Sequence, residues 1–215
     1  MCGRYCISAS PGALSERYGI STPLEYHPGY NISPGTKILT VNAEKQERSA
    51  QMASWGFHST RAHLLINARS ETIRQKPIFR YLISDHRCLI PASGYYEWKN
   101  QGAGKYPWYI STVSGEIVSF AGVIRTTSFG SETVIITTEA YSSIAHIHKR
   151  MPVILSRQGE DDFLLNGTII GLMADLLTSH PVSPNVNSPD IDDPALIEPW
   201  QEHTIQKTLA SHNWQ

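Results

Sequence analysis

Short runs of β-branched and aromatic residues, punctuated by Gly-bearing turns, recur along most of this 215-residue chain and leave little room for long helices. The strand-like runs fall at 37–41, 50–57, 87–90, 95–99, 108–112, 117–124, 133–138 and 153–155. Gln101-Gly102-Ala103-Gly104 marks a turn between two of them. Two helices carry end signals. Ser10-Pro11 offers an N-cap and a first-turn proline, with Leu14 and Tyr18 on one face and Gly19 as a stop. Ser156 caps a second helix with Glu160, Asp161 and Asp162 in its first turns and Gly167 near its end. An apolar run at 169–177 reads as a third helix. The rhythm is not that of a doubly wound fold. It predicts an α+β chain dominated by antiparallel β, a curved, barrel-like sheet with peripheral helices. With no internal repeat, low-complexity tract or flexible linker, residues 1–215 are expected to form a single domain.

Composition narrows the classes. Hydrophobic residues are 40% and charged residues 17% of the chain, which suits a globular protein rather than a disordered one. No run approaches the 18 or so apolar residues of a membrane span, and no apolar segment follows Met1-Cys2-Gly3-Arg4, so neither an anchor nor a secretory signal is expected. Three cysteines are too few for a disulfide scaffold and point to a reducing, cytoplasmic setting. The net charge of −1 conceals a division. Residues 1–157 hold 17 of the 18 Lys and Arg and 10 of the 19 acids, whereas residues 158–215 hold only Lys207 against nine acids. Either a basic body faces a polyanion, or two oppositely charged surfaces neutralise each other within the fold.

Four places could carry chemistry. If Met1 is removed, Cys2 presents an α-amine and a thiol on adjacent carbons, with ordinary pKa values of about 7.7–8.0 and about 8.5. An amine attacks an aldehyde to give a Schiff base, and a thiol two carbons away can close on the imine carbon as a five-membered thiazolidine. The alternative is an incidental cysteine at a frayed end. In Gly94-Tyr95-Tyr96-Glu97-Trp98, strand alternation puts Tyr95 and Glu97 on one face and Tyr96 and Trp98 on the other. Glu97 is then either a desolvated acid suited to proton transfer or an edge residue facing water, and Trp98 either stacks on a base or fills a core.

Ile66-Asn67-Ala68-Arg69-Ser70-Glu71-Thr72 offers an amide to hold an amine and an arginine for a phosphate, or else a loop leading into a helix with Glu71 at its start. In Ala145-His146-Ile147-His148-Lys149-Arg150-Met151-Pro152, the two histidines would share a face on a strand, and Lys149 and Arg150 suit a phosphate neighbourhood with an imidazole as acid or base. No carboxylate or cysteine nearby completes a metal set there. Cys6 and Cys88 read as small buried hydrophobes.

Met1-Cys-Gly-Arg-Tyr5, Ile66 to Thr72, Leu89-Ile-Pro-Ala-Ser-Gly-Tyr-Tyr-Glu-Trp98 and Ile147-His-Lys-Arg-Met-Pro-Val153, in that order, resemble the SOS-response-associated peptidase (SRAP) family. Tyr30 to Pro34, Trp55-Gly56 and Val182 to Asn187 extend the likeness over nearly the whole chain. The resemblance implies a β-rich α+β fold that binds single-stranded DNA and captures abasic sites as a thiazolidine on mature Cys2. It implies that Asn67 positions the terminal cysteine, that Glu97 assists Schiff-base formation and ring opening, and that His148, not His146, is the acid/base histidine. Arg4, Arg69 and Trp98 would contact DNA, with Arg150 beside them. A secondary lyase activity and self-processing ahead of Cys2 are further implications, with no cofactor and no metal, in a monomer that is nucleoid-associated when bound to DNA. Lys149 departs from the acidic or polar residue usual in the family at that place. Two other readings stand beside this one: an N-terminal-nucleophile hydrolase using Cys2 on amides, and a zinc-stabilised binding module using Cys2, Cys6, Cys88 and a histidine.

Overall fold

A computed structural model describes residues 2–44, 47–58, 64–102, 104–171 and 174–200. Met1, Ala103 and residues 201–215, Lys207 included, lie outside the described residues. The chain runs through β1 (Tyr5–Ile7), α1 (Pro11–Tyr18), β2 (Gly29–Ile32), β3 (Lys37–Glu44), β4 (Glu47–Trp55) and β5 (Asn67–Arg69). It continues through α2 (Pro77–Arg80), α3 (Leu82–Asp85), β6 (Arg87–Ala92), β7 (Gly94–Gln101), β8 (Gly104–Thr112), β9 (Val118–Thr127) and β10 (Gly130–Glu139). It ends with α4 (Ser142–Ala145), β11 (Arg150–Pro152), β12 (Ile154–Leu155), α5 (Arg157–Asn166) and β13 (Leu177–Pro181). All eight expected runs overlap strands. The two capped helices form as read: Ser10 Oγ accepts from the Ala13 N–H and Ser156 Oγ from the Gly159 N–H, and each helix stops at a left-handed glycine, Gly19 (φ 67°) and Gly167 (φ 70°).

In one sheet β4, β3, β6, β9 and β10 close on themselves as a five-stranded barrel, because β10 pairs with β9 on one edge and with β4 on the other. The β10–β4 pairing is parallel while its neighbours are antiparallel. The other sheet has the order β13-β8-β7-β1-β2. It lies on the barrel through aromatic side chains. The Tyr5 ring meets Trp55 edge-on at 5.4 Å, and both Tyr5 and Tyr95 meet Phe120 at 6.0 Å. Such pairs are each worth about 0.5–1.5 kcal/mol beyond the area they bury. Residues of both sheets thereby join one buried apolar cluster running from Cys2 to Leu177.

The outer face of the second sheet is covered by the C-terminal segment. Val182, Val186 and Leu196 pack on Cys6, Tyr96 and Tyr109 in a separate small cluster. Part of the acidic C-terminal charge is used internally: Asp192 accepts from the backbone N–H groups of Tyr30 and Asn31, and buried Glu160 binds Arg17, Arg48 and the Ser119 hydroxyl.

The helix expected over 169–177 is not formed. Gly171 bridges to Leu155, Ala174–Leu176 is a single 3-10 turn, and Leu177 to Pro181 pair with β8; residues 172–173 are outside the described set. A β-branched pair followed by glycine is weakly helical, and the open edge of β8 supplies hydrogen bonds that a short helix cannot match.

Gly94 sets how closely β7 lies on β8. A Cβ there would fall 2.5 Å from the Tyr109 ring and hydroxyl and 2.6 Å from the Ile110 carbonyl oxygen. Gly94→Ala is therefore expected to cost about 1–3 kcal/mol, read as a lower urea midpoint at unchanged slope.

Candidate active site

The residues singled out as chemical converge at the seam between the two sheets. Cys2 precedes β1, and β1 pairs with β7 through Tyr5 opposite Tyr95 and Cys6 opposite Gly94. Alternation along β7 then works as read. Tyr95 faces the large core with Cys2, whereas Tyr96 and Trp98 face the small cluster under the C-terminal segment. Glu97, on the side of Tyr95, is 3% exposed.

From the barrel side, β10 carries the other half of the site. Its one edge holds β5, with Asn67 opposite Ile135 and Arg69 opposite Thr137. Its other edge holds β11, with Arg150 opposite Glu139. Two polar contacts cross the seam. Asn67 Nδ2 donates to the Cys2 carbonyl at 2.9 Å, and His148 Nδ1 lies 3.6 Å from Glu97 Oε1. The same Nδ1 turns back on its own loop, accepting from the Arg150 N–H at 3.1 Å in one tautomer or donating to the Arg150 carbonyl at 3.0 Å in the other. Asn67 Oδ1 is buried and has no hydrogen-bond partner among the described residues, nor does the buried Tyr95 hydroxyl. Unsatisfied buried acceptors are rare in folded proteins, and this one lies beside Cys2.

The electrostatics follow from the burial. Desolvation pushes the Cys2 thiol well above its ordinary range and the negative charge of Glu97 adds to this, so the sulfur stays protonated. Burial also raises the Glu97 carboxyl above 4.5, with the nearby His148 working against the shift. The site thus holds a neutral thiol and a carboxyl group disposed to keep a proton.

The four candidate DNA contacts are distributed differently. Arg69 is exposed beside Asn67. Arg150 is engaged by both carboxylate oxygens of Glu71 at 2.6 and 3.1 Å and donates to the Thr137 carbonyl at 2.7 Å. Glu71 therefore serves as an ion-pair partner in a turn rather than at a helix start. Arg4 donates to Asn31 Oδ1 at 2.6 Å and to the Val186 carbonyl at 2.9 Å, and Trp98 Nε1 donates to Asn187 Oδ1 at 2.8 Å. Arg4 and Trp98 thus meet the C-terminal segment on the face of β7 opposite Glu97.

His146 and His148 do not share a strand face. His146 follows α4 with a helical backbone and its ring meets Trp108 at 5.7 Å, while His148 faces Glu97. The three cysteines have separate surroundings: Cys2 and Cys88 are in the large core, Cys88 against Thr133 Oγ1, and Cys6 is in the small cluster, its thiol pushed up to about 12 by burial. Among the described residues no group of three or more His, Cys, Asp or Glu is placed to hold a metal ion. Trp108 is a neighbour of the site that the motifs did not single out. The turn at 101–104 held the signal for Trp108, since pairing Gln101 with Gly104 puts Glu97 opposite Trp108.

The model of a family described as SOS response associated peptidase (SRAP) matches residues 1–189. The chain is 34% identical to the abasic site processing protein YoqW of Bacillus subtilis, over 92% of this chain and 99% of that one. It is 30% identical to the abasic site processing protein YedK of Escherichia coli, over 76% and 79% of the two chains. A crystal structure of a Bacteroides thetaiotaomicron protein superposes with a TM-score of 0.80 at 24% identity, covering 93% of this chain and all of that one, which is a likeness of fold.

The raised carboxyl of Glu97 has a consequence for stability. The folded chain keeps a proton that the unfolded chain has already lost above about pH 4.5, so folding stability falls as pH rises through the folded-state pKa. Glu97→Gln has no such proton to lose. Thermal melts should find it at least as stable as the parent at pH 7, with its advantage shrinking toward pH 4.5.

Proposed function

The chain belongs to the SOS response associated peptidase (SRAP) family, and on that premise we propose that it processes abasic sites by capturing them covalently, in single-stranded DNA, through Cys2 after loss of Met1. The observation that carries this reading is the pair of atoms on Asn67. Nδ2 already holds the Cys2 carbonyl at 2.9 Å, and Oδ1 is a buried acceptor without a partner, suited to an N–H of a freed Cys2 amine. Curated relatives of high coverage bear the name abasic site processing protein, which supports the same substrate.

The chemistry balances as a condensation. The Cys2 amine attacks the C1′ aldehyde of the ring-opened sugar to give a carbinolamine. Glu97, whose carboxyl burial raises above its ordinary range, delivers the proton with which water leaves, and the imine forms. The thiol, neutral in its buried setting and so a poor nucleophile toward the aldehyde, then adds to the more electrophilic imine carbon. Its proton passes to the imine nitrogen, with the Glu97–His148 pair as relay. Aldehyde and aminothiol become thiazolidine and one water. The second bond closes within one residue, so its effective molarity is high. At the imine stage, loss of a C2′ proton and departure of the 3′ phosphate would be β-elimination, the source of a secondary lyase activity. Arg69, Arg150, Arg4 and Trp98 supply the DNA contacts in this reading, with Arg69 already exposed.

An oligonucleotide with one abasic site, mixed with protein whose Met1 removal is verified by intact mass, should give a shifted band on a denaturing gel without added reductant. Cys2→Ala and a Met1-retaining form should give none. Glu97→Gln should form the band about a hundredfold more slowly. Turnover of amide substrates with no band from processed protein would instead favour the N-terminal-nucleophile hydrolase.

A further inference from the structure

Beyond the four residues of the seam, a cluster that nothing in this chemistry uses lies on the same face of β7. Glu97 and Lys99 are two residues apart on that strand and project to one side. Across the ladder, Glu97 pairs with Trp108 of β8, so the indole stands directly beside the catalytic carboxyl, at the ordinary cross-strand spacing of about 4.5–5.5 Å between Cβ atoms. The Lys99 ammonium sits over the Trp108 ring, 5.1 Å from its centroid. The His146 ring meets the same indole at 5.7 Å and at right angles. His146 is two residues from His148, which faces Glu97 at 3.6 Å. Lys99 and Trp108 are half-buried and His146 is exposed.

None of the three makes a hydrogen bond or ion pair among the described residues, so beyond their contacts with the indole ring the ammonium and the imidazole, and the indole N–H itself, have hydrogen-bonding capacity to spare. Arg4 and Arg150 contrast with this, since their guanidinium groups are already bound by internal acceptors. An aromatic platform with free cationic donors is the chemistry that holds a single strand: the ring takes a base or sugar and the donors take the phosphate.

We propose that Lys99, Trp108 and His146 form a subsite for the nucleotide next to the abasic sugar, with Trp108 as its floor and Lys99 and His146 on its phosphodiester. The proposal rests on the reading that abasic DNA is captured at Cys2. It adds a noncovalent holding site that fixes how far the strand enters the seam.

The test uses the full chain with Met1 removed and separates holding from capture. Binding of an intact single strand, with no abasic site, is measured by fluorescence anisotropy across a salt series. Lys99→Gln should weaken binding about fivefold and reduce the slope of log affinity against log salt by about 0.7. Trp108→Leu should weaken it about tenfold. Lys37→Gln, an exposed lysine on the barrel, should change neither beyond the loss of a distant charge. A Lys99→Gln slope and affinity matching those of Lys37→Gln would overturn the subsite, even if capture proceeds. Conversely, a Lys99-dependent slope in a protein that forms no covalent band would uphold the subsite and remove the capture reading alone. Failure of the parent to bind the intact strand would overturn the subsite.

Discussion

Two polar contacts across an apolar seam, Asn67 to the Cys2 carbonyl and His148 to Glu97, are what the remainder of this structure serves. Each joins a residue on or just before a strand of the second sheet to a residue flanking β10 of the barrel. Their spacing is set by aromatic packing of Tyr5 and Tyr95 on Trp55 and Phe120, which holds the sheets together whether or not the polar groups are satisfied. That division matters energetically. Burying a carboxylate is unfavourable and leaving Asn67 Oδ1 unpaired is unfavourable, so the seam can keep both only because the surrounding apolar contacts stabilise it independently. The result is a site in which Cys2 and Glu97 are buried while His148 keeps partial access to solvent. The raised carboxyl of Glu97 and the protonated sulfur of Cys2 both follow first from burial.

The charge division in the sequence has a less simple meaning than a DNA-binding surface. Most of the arginines in the basic part are used inside the fold. Arg17 and Arg48 bind Glu160, Arg125 binds Glu132, and Arg74 and Arg87 donate to carbonyls at the C-terminal end of α5 and just beyond. The last pair complements the negative end of that helix. Thus part of the acidic C-terminal charge is neutralised within the protein, and among the described residues Lys99 and exposed Arg69 are cations near the site without an internal acceptor.

Local signals made much of the fold legible in the sequence. Caps and stop glycines marked α1 and α5, short β-branched and aromatic runs marked eight strands, and alternation along β7 separated Glu97 from Trp98. The site was legible as a list of residues through the motifs they sit in, yet not as an arrangement. Asn67 and Arg69 lie on β5 and Arg150 on β11, each three residues long, and three residues carry no periodicity. Both strands exist because β10 offers them edges, a fact about residues more than 60 positions from Asn67. The same cause misled the reading of 169–177, where a free strand edge outweighed an apolar run. His146 and His148 looked like a pair on a strand because the turn after α4, which sends one to Trp108 and the other to Glu97, has no signature in sequence.

The proposed covalent capture by Cys2 makes one structural claim that a gel cannot reach, the identity of the bonds at the sugar carbon. Abasic DNA labelled with carbon-13 at C1′ and protein labelled with nitrogen-15 at cysteine would be joined and examined by NMR. A tetrahedral C1′ directly coupled to the Cys2 nitrogen, in an adduct whose sulfur no longer reacts with a thiol reagent under denaturing conditions, is the predicted result. A trigonal imine carbon, or a C1′ with no coupling to cysteine nitrogen, would contradict it.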